Sequence, residues 1–167
     1  MIRKATTEDI PAIQSMADIA FRKTYSSILP PSQIGYMMEI MYSDWSLLKQ
    51  MEDSVFFIEE GKGYVSFRYD GKTEDGRDLF HLEKLYVLPE YQKTGLGSKL
   101  FGTVVREAGQ LSGREAFRLE LNVNRHNPAL GFYEHLGMQK IREGDFPIGK
   151  GYYMNDYIMA IDCHPLR

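Results

Sequence analysis

The chain has one cysteine, Cys163, among 167 residues, which excludes an internal disulfide and a thiolate cluster for a metal. Its four histidines, His81, His126, His135 and His164, are scattered and suggest no metal site. No apolar stretch approaches the length needed to cross a bilayer. The opening MIRKATTEDI lacks the apolar core of a signal peptide, so a cytoplasmic location with no membrane partner is expected. Basic charge is not in excess either: the net charge is −3, which advertises no surface for nucleic acid. Neither a G-x-x-x-x-G-K-[ST] phosphate loop nor a G-x-G-x-x-G dinucleotide fingerprint occurs. Internal repeats, low-complexity tracts and linkers are also missing. What remains is ordinary for a globular protein, with 43% hydrophobic and 26% charged residues. A single domain over residues 1–167, large enough for a real core, is the expectation.

The stretch His81–Phe101, HLEKLYVLPEYQKTGLGSKLF, organises the rest. It opens as a strand, with Leu82, Leu85, Tyr86 and Val87 read as a buried apolar run. Pro89 stops the pairing because it has no N–H to give. Gly95 and Gly97 form a loop, and Leu96, Leu100 and Val104 then recur at helical spacing. Strand, glycine loop and helix in this order aim backbone N–H groups and a positive helix end at one point, which suits an anion.

Around it, Ile2 to Ala5 reads as a first strand, and Thr6 or Thr7 caps a helix carrying Ile10, Ile13, Ala17, Ala20 and Phe21. Pro30 and Pro31 break it from a second helical region, interrupted near Ser43, that holds much of the methionine and the only tryptophan, Trp45. Val55 to Glu59 and Tyr64 to Phe67 form a hairpin across Gly61 and Gly63, and Asp70 to Asp78 is a polar loop. Phe117, Leu119, Leu121 and Val123 alternate with polar residues in a clear strand. Asn127 and Pro128 start a further helix that Gly137 ends, and Met138–Arg142 and Tyr152–Ile161 close the chain as strands. The order β-α-α-β-β-β-α-β-α-β-β predicts an α/β (α+β) fold: a mixed, mostly antiparallel central sheet flanked by helices.

Gln92-Lys93-Thr94-Gly95-Leu96-Gly97 resembles motif A of the GCN5-related N-acetyltransferases, whose Q/R-x-x-G-x-G/A loop binds the pyrophosphate of coenzyme A. Leu85-Tyr86-Val87-Leu88-Pro89-Glu90-Tyr91 is similar to the family's lead-in. Lys93 departs from the glycine common at its position. Asn124-Arg125-His126-Asn127-Pro128-Ala129-Leu130-Gly131-Phe132-Tyr133-Glu134-His135-Leu136-Gly137-Met138 looks like motif B, and the order of elements extends the resemblance to nearly the whole chain. The resemblance implies the family's acyl-CoA acyltransferase fold and acetyl-CoA as cofactor, held by Gln92, Lys93, Thr94, Gly95, Leu96, Gly97 and Ser98. Backbone groups of Leu85, Tyr86 and Val87 would take the thioester end. Asn124 or Asn127 would meet the pantetheine or phosphate part. Tyr133 would point at the sulfur.

Acyl transfer from a thioester to an amine needs three things: a deprotonated amine, a donor for the oxyanion and a proton for the leaving thiolate. A tyrosine hydroxyl, with a pKa of about 10, suits the last task, and Tyr133 is its candidate. Glu83, a carboxylate among apolar neighbours, is the candidate base, with His81 or bulk water as rivals. Leu82-Glu83-Lys84 is similar to the Leu-Glu-Asp of polyamine acetyltransferases, in which the glutamate draws the amine proton through water. Cys163 has no evident base and is rejected as a nucleophile. Phe21-Arg22-Lys23-Thr24-Tyr25, Leu29-Pro30 and Ile34-Gly35-Tyr36-Met37 resemble bacterial spermidine/spermine acetyltransferases. Their resemblance implies a small-molecule amine as partner, with Tyr25, Tyr36, Glu39 and Trp45 as candidate contacts; a homodimer is allowed for. An acetyltransferase for amino acids or peptide N-termini is the alternative enzyme. A non-catalytic acetyl-CoA sensor is the alternative of another class.

Overall fold

The structure, a computed structural model, describes residues 1–165. Its strands form one seven-stranded mixed sheet, in the order β1-β2-β3-β4-β5-β7-β6, and five α-helices flank it. The chain resolves into two compact units. One comprises residues 1–68 and 83–104; the other comprises residues 69–82 and those from 105 onward.

In the first unit, β1 (Arg3–Lys4) pairs antiparallel with β2 (Ser54–Glu59). Thr6 caps a short 3-10 turn in a capping box with Asp9, whose carboxylate also takes two hydrogen bonds of 2.8 and 2.9 Å from Arg3. The helix α1 (Ile10–Tyr25) follows, and the expected stripe of Ile13, Ala17, Ala20 and Phe21 is buried. Pro31 opens α2 (Pro31–Tyr42), where a missing N–H costs nothing. Ser43 leaves helical geometry, and its Oγ accepts the Ser46 N–H at 3.3 Å, starting α3 (Asp44–Asp53). The hairpin partner β3 (Gly63–Lys72) registers Ser54 against Arg68 and Ile58 against Tyr64. Glycine is required at Gly63, since a Cβ there would lie 2.8 Å from the Tyr86 carbonyl oxygen. An aromatic core of Phe21, Tyr25, Tyr42, Tyr64 and Tyr86 fills the unit, with ring centroids 4.7–6.2 Å apart. The Tyr42 and Tyr64 hydroxyls share a 2.8 Å hydrogen bond.

In the second unit, the first half of β4 (Asp78–Val87) runs parallel to β5 (Phe117–Asn124), with Asp78 opposite Phe117 and Leu82 opposite Leu121. The strand β7 (Tyr152–Cys163) lies antiparallel to β5 and to β6 (Gln139–Gly149). The helix α5 (Ala129–His135) follows β5, and Gly137 ends it at φ 98°. The last helix to name, α4 (Leu96–Leu111), starts in the first unit and ends in the second.

Two expectations need correction. The polar run Asp70–Asp78 is loop only at 73–77: β3 continues to Lys72 and β4 starts at Asp78, leaving a tight turn in which the Thr73 Oγ1 accepts the Arg77 N–H at 3.0 Å. Its side chains are mostly solvent-facing, so no apolar alternation marks it. Along β4, the buried residues are Phe80, Leu82 and Lys84, while Leu85, Tyr86 and Val87 are half-buried. The period of two in a strand sends alternate residues inward, and at position 84 that residue is a lysine.

Candidate active site

The glycine loop lies where expected, between β4 and α4. Pro89–Tyr91 forms a 3-10 turn, and Gln92 turns its side-chain amide back to the Val87 carbonyl at 3.2 Å. The Thr94 hydroxyl donates to the Tyr91 carbonyl at 2.5 Å. Both side chains therefore shape the loop from within. Lys93 and Gly95 take left-handed conformations, with φ of 62° and 87°. Regular bonding pauses between the Gln92 N–H, bound to the Pro89 carbonyl, and the Lys99 N–H, bound to the Gly95 carbonyl. Amides of Leu96, Gly97 and Ser98 form the first turn of α4, where a helix offers no acceptor of its own. Left-handed residues beside a helix start make a concave array of N–H groups that suits a phosphate. A Cβ built on Gly95 would meet nothing within 4 Å, so the ground above it is open to a ligand. Leu96 and Leu100, both buried, anchor the helix beneath.

Glu83 stands on β4 with two partners. Its Oε1 accepts the Ser54 hydroxyl at 2.5 Å, and its Oε2 lies 3.5 Å from Arg68 Nε. His81 is half-buried on the same strand and registers opposite Glu120. Sequence reasoning missed Lys84. It is 4% exposed, its ammonium donates to Gln50 Oε1 at 2.5 Å, and the rings of Tyr42 and Phe56 lie 5.2 and 6.0 Å away. Burial pulls its pKa down from 10.5 to about 8, against the opposing pull of the Glu83 carboxylate. The only signal was a lysine embedded in an apolar strand.

Of the acceptor candidates, Tyr25 is buried in the aromatic core, Tyr36 is half-buried on α2, and Trp45 is 75% exposed on α3. Glu39 lines a groove of about 640 Å³ with Gln14, Asp18, Arg22 and Tyr42. Asp18 there already holds Arg22 at 2.6 Å, while Gln14 bridges the Tyr42 carbonyl and the Asp44 carboxylate.

In the second unit, Tyr133 is buried on α5, against the Phe132 ring at 5.3 Å. The Asn124 carbonyl oxygen Oδ1 accepts the His126 N–H at 2.9 Å, and Asn127 Oδ1 accepts the Ala129 N–H at 2.9 Å, opening α5. Both asparagines thus shape the turn before α5. The Cys163 thiol is pushed up to about 11, chiefly by burial. Among the described residues, no group of three or more acidic, histidine or cysteine side chains is arranged to hold a metal. No helix among them is long and apolar enough to cross a membrane.

A mixed sheet whose central strand passes through a glycine loop into a helix start is a fold for holding a phosphate-bearing ligand at that helix. The pattern of the Acetyltransferase (GNAT) family matches residues 16–138, and the chain belongs to this family. Thialysine N-epsilon-acetyltransferase of Mus musculus is 31% identical over 83 residues, 50% of this chain and 47% of that protein; the chain thus spans about half of that relative's length. An uncharacterized N-acetyltransferase of Mycobacterium bovis is 30% identical over 114 residues, 63% of this chain and 70% of that one. Among solved structures, the PaiA N-acetyltransferase from Thermoplasma acidophilum in complex with coenzyme A has a TM-score of 0.75 at 22% identity, covering 96% of both chains. The ribosomal-protein-S18-alanine N-acetyltransferase from Escherichia coli has a TM-score of 0.66 at 20% identity, covering 100% of this chain and 95% of its own. These structural likenesses establish the fold.

Proposed function

We propose that the protein is an N-acetyltransferase that moves an acetyl group from acetyl-CoA to a primary amine, with a polyamine such as spermidine or spermine as the acceptor. The observation that carries the reading is the loop at residues 92–98: two left-handed residues, first-turn amides and open ground over Gly95. Acetyl-CoA supplies an activated thioester. Amides of residues 93–98 hold its pyrophosphate, with the Lys93 side chain lending charge at the rim. Leu85, Tyr86 and Val87 offer strand N–H groups to the thioester carbonyl, where negative charge develops. The side-chain amide of Asn127 or Asn124 serves the pantetheine arm.

Attack requires a neutral amine, and an alkylammonium has a pKa of about 10.4. Glu83 receives the proton through a bridging water, its carboxylate oriented by Ser54 and Arg68. Tyr133 hands its hydroxyl proton to the departing thiolate. The primary-amine acceptor draws support from the mouse relative, whose name puts the acetyl on an ε-amine, and the polyamine assignment from the carboxylate that Glu39 brings to its groove. An acceptor screen tests it: free coenzyme A is released from acetyl-CoA on adding spermidine or spermine. Release only with amino acids or short peptides moves the acceptor class. Acetyl-CoA binding without amine-dependent release, for any acceptor, makes the protein a sensor.

A further inference from the structure

Asp156 on β7 is 3% exposed, and its two carboxylate oxygens fare differently. Oδ2 accepts the Asn122 side-chain amide at 3.2 Å, while Oδ1, itself buried, has no hydrogen-bond donor among the described residues. Burial raises the Asp156 pKa above its ordinary value, ahead of the opposing effects of Asn122 and Arg125. Arg125 is the nearby cation, and it is engaged elsewhere. Its guanidinium holds Asp145 at 2.7 Å and the Gly144 carbonyl at 3.3 Å, and lies 3.8 Å from Glu143. A buried carboxylate with a bare oxygen is a standing cost to the fold. An asparagine of the same shape would avoid the charge. A cost kept where the fold does not require it points to a ligand.

The surroundings say which ligand. Asp156 registers opposite Asn124, the last residue of β5, and opposite Gly144 on β6. Residues directly opposed in a ladder share a face. A Cβ on Gly144 would lie 2.8 Å from Phe146 Cζ, so the half-buried Phe146 ring folds back over Gly144 into the row of Asp156. Asn122, on the same face, is exposed, so the carboxylate lies one side chain below solvent. A carboxylate with spare lone pairs beside an aromatic ring is the pairing that recognises an alkylammonium. Its place also fits: the end of β5 leads through the Arg125–Pro128 turn into α5, which carries Tyr133.

We propose that Asp156, with the Phe146 ring and the Asn122 amide around it, seats the ammonium group of the acceptor, its Oδ1 accepting an N–H of the amine. This rests on the acetyltransferase reading above. It assigns amine recognition to β7, a strand outside both the glycine loop and the motif-B turn. Asp156→Asn keeps the shape and removes the charge. The Michaelis constant for the amine rises about ten- to a hundred-fold, the range for losing one charge-assisted hydrogen bond. The constant for acetyl-CoA does not move, and the melting temperature stays level or rises because a buried charge is gone. A purely structural Asp156 gives the reverse: a lower melting temperature and unchanged amine affinity, and that result overturns the proposal. Phe146→Leu, which removes the ring and keeps most of the bulk, gives a smaller rise in the same constant and serves if Asp156→Asn does not fold. If the wild type shows no amine-dependent turnover, the acetyltransferase reading falls by itself. Titration of n-butylammonium chloride into wild type and Asp156→Asn, followed by nuclear magnetic resonance, still decides the seat. Weaker binding to the variant upholds it, and equal binding overturns it.

Discussion

Replacing Lys84 by methionine should change the pH dependence of stability by a calculable amount. Methionine keeps the unbranched stem among Tyr42 and Phe56 and removes the charge. In the wild type, burial lowers the Lys84 pKa to about 8 from 10.5. Below pH 8 the folded and unfolded states both carry the proton, and the fold bears the full cost of a buried ammonium. As pH rises from 8 towards 10.5, the folded state sheds its proton first and stability increases. Linkage gives a gain of about 1.3 kcal/mol between pH 7 and pH 9. In a chain of this size that is about 3–5 °C in melting temperature. Cys163 works the other way. Its thiol pKa is raised from 9.0 to about 11, so its contribution is present below pH 9 and is lost as pH rises towards 11. That contribution is common to both proteins and cancels in their difference. Loss of the Gln50 contact belongs to the variant alone; its pH-dependent part is already contained in the lowered Lys84 pKa, and the remainder offsets the two curves by a constant. The assay is calorimetric melting of wild type and Lys84→Met at half-unit steps from pH 7 to pH 9. Any advantage of the variant should shrink by about 1.3 kcal/mol across that range. Parallel curves would refute the reasoning and put Lys84 in contact with solvent.

Three further outcomes are expected. Gly97→Val should fold and bind acetyl-CoA far more weakly, by calorimetry; unchanged affinity removes the loop from the cofactor site. Tyr133→Phe should lower turnover roughly ten- to a thousand-fold with little change in cofactor affinity; wild-type turnover makes Tyr133 a packing residue. Glu83→Gln should lose activity near neutral pH and regain part of it at high pH, where the amine deprotonates unaided, while His81→Ala stays closer to wild type. The opposite ranking in the pH–rate profiles moves the base to His81, and small equal effects assign the proton to bulk water.

Elements with strong local signals are legible in the chain's own residues. The α1 stripe from Ile10 to Phe21, the alternation from Phe117 to Val123, and the Gln92–Gly97 loop each carry their period or their glycines in a few consecutive residues. The break at Ser43 is also readable, because a serine between two helical patterns is an N-cap in waiting. What escapes is decided by partners far along the chain. Strand pairing of the polar segment around Asp70–Lys72 depends on neighbours in the sheet, since its solvent-facing side chains leave no apolar mark. The same holds for the length of the β6–β7 hairpin, which runs from Gln139 to Cys163 around Lys150 at φ 52°.

Sequence alone determined the loop that starts α4 and, apart from the division of the second helical region into α2 and α3, the order of elements, because each is written in adjacent residues whose spacing is itself the physical signal. The family was legible through the resemblance of those residues to its motifs. Tertiary structure decided what the ionisable groups of the two units experience. A lysine in LEKLYV and an aspartate in YMNDYI look alike as solvated charges on strands. Only the packing of Gln50, Tyr42 and Phe56 around Lys84 makes the first a depressed base. Only the register of Asn124 and Gly144 against Asp156 makes the second a buried carboxylate with one oxygen bare. Desolvation is set by what surrounds a group in space, and neighbours in space are not neighbours in sequence.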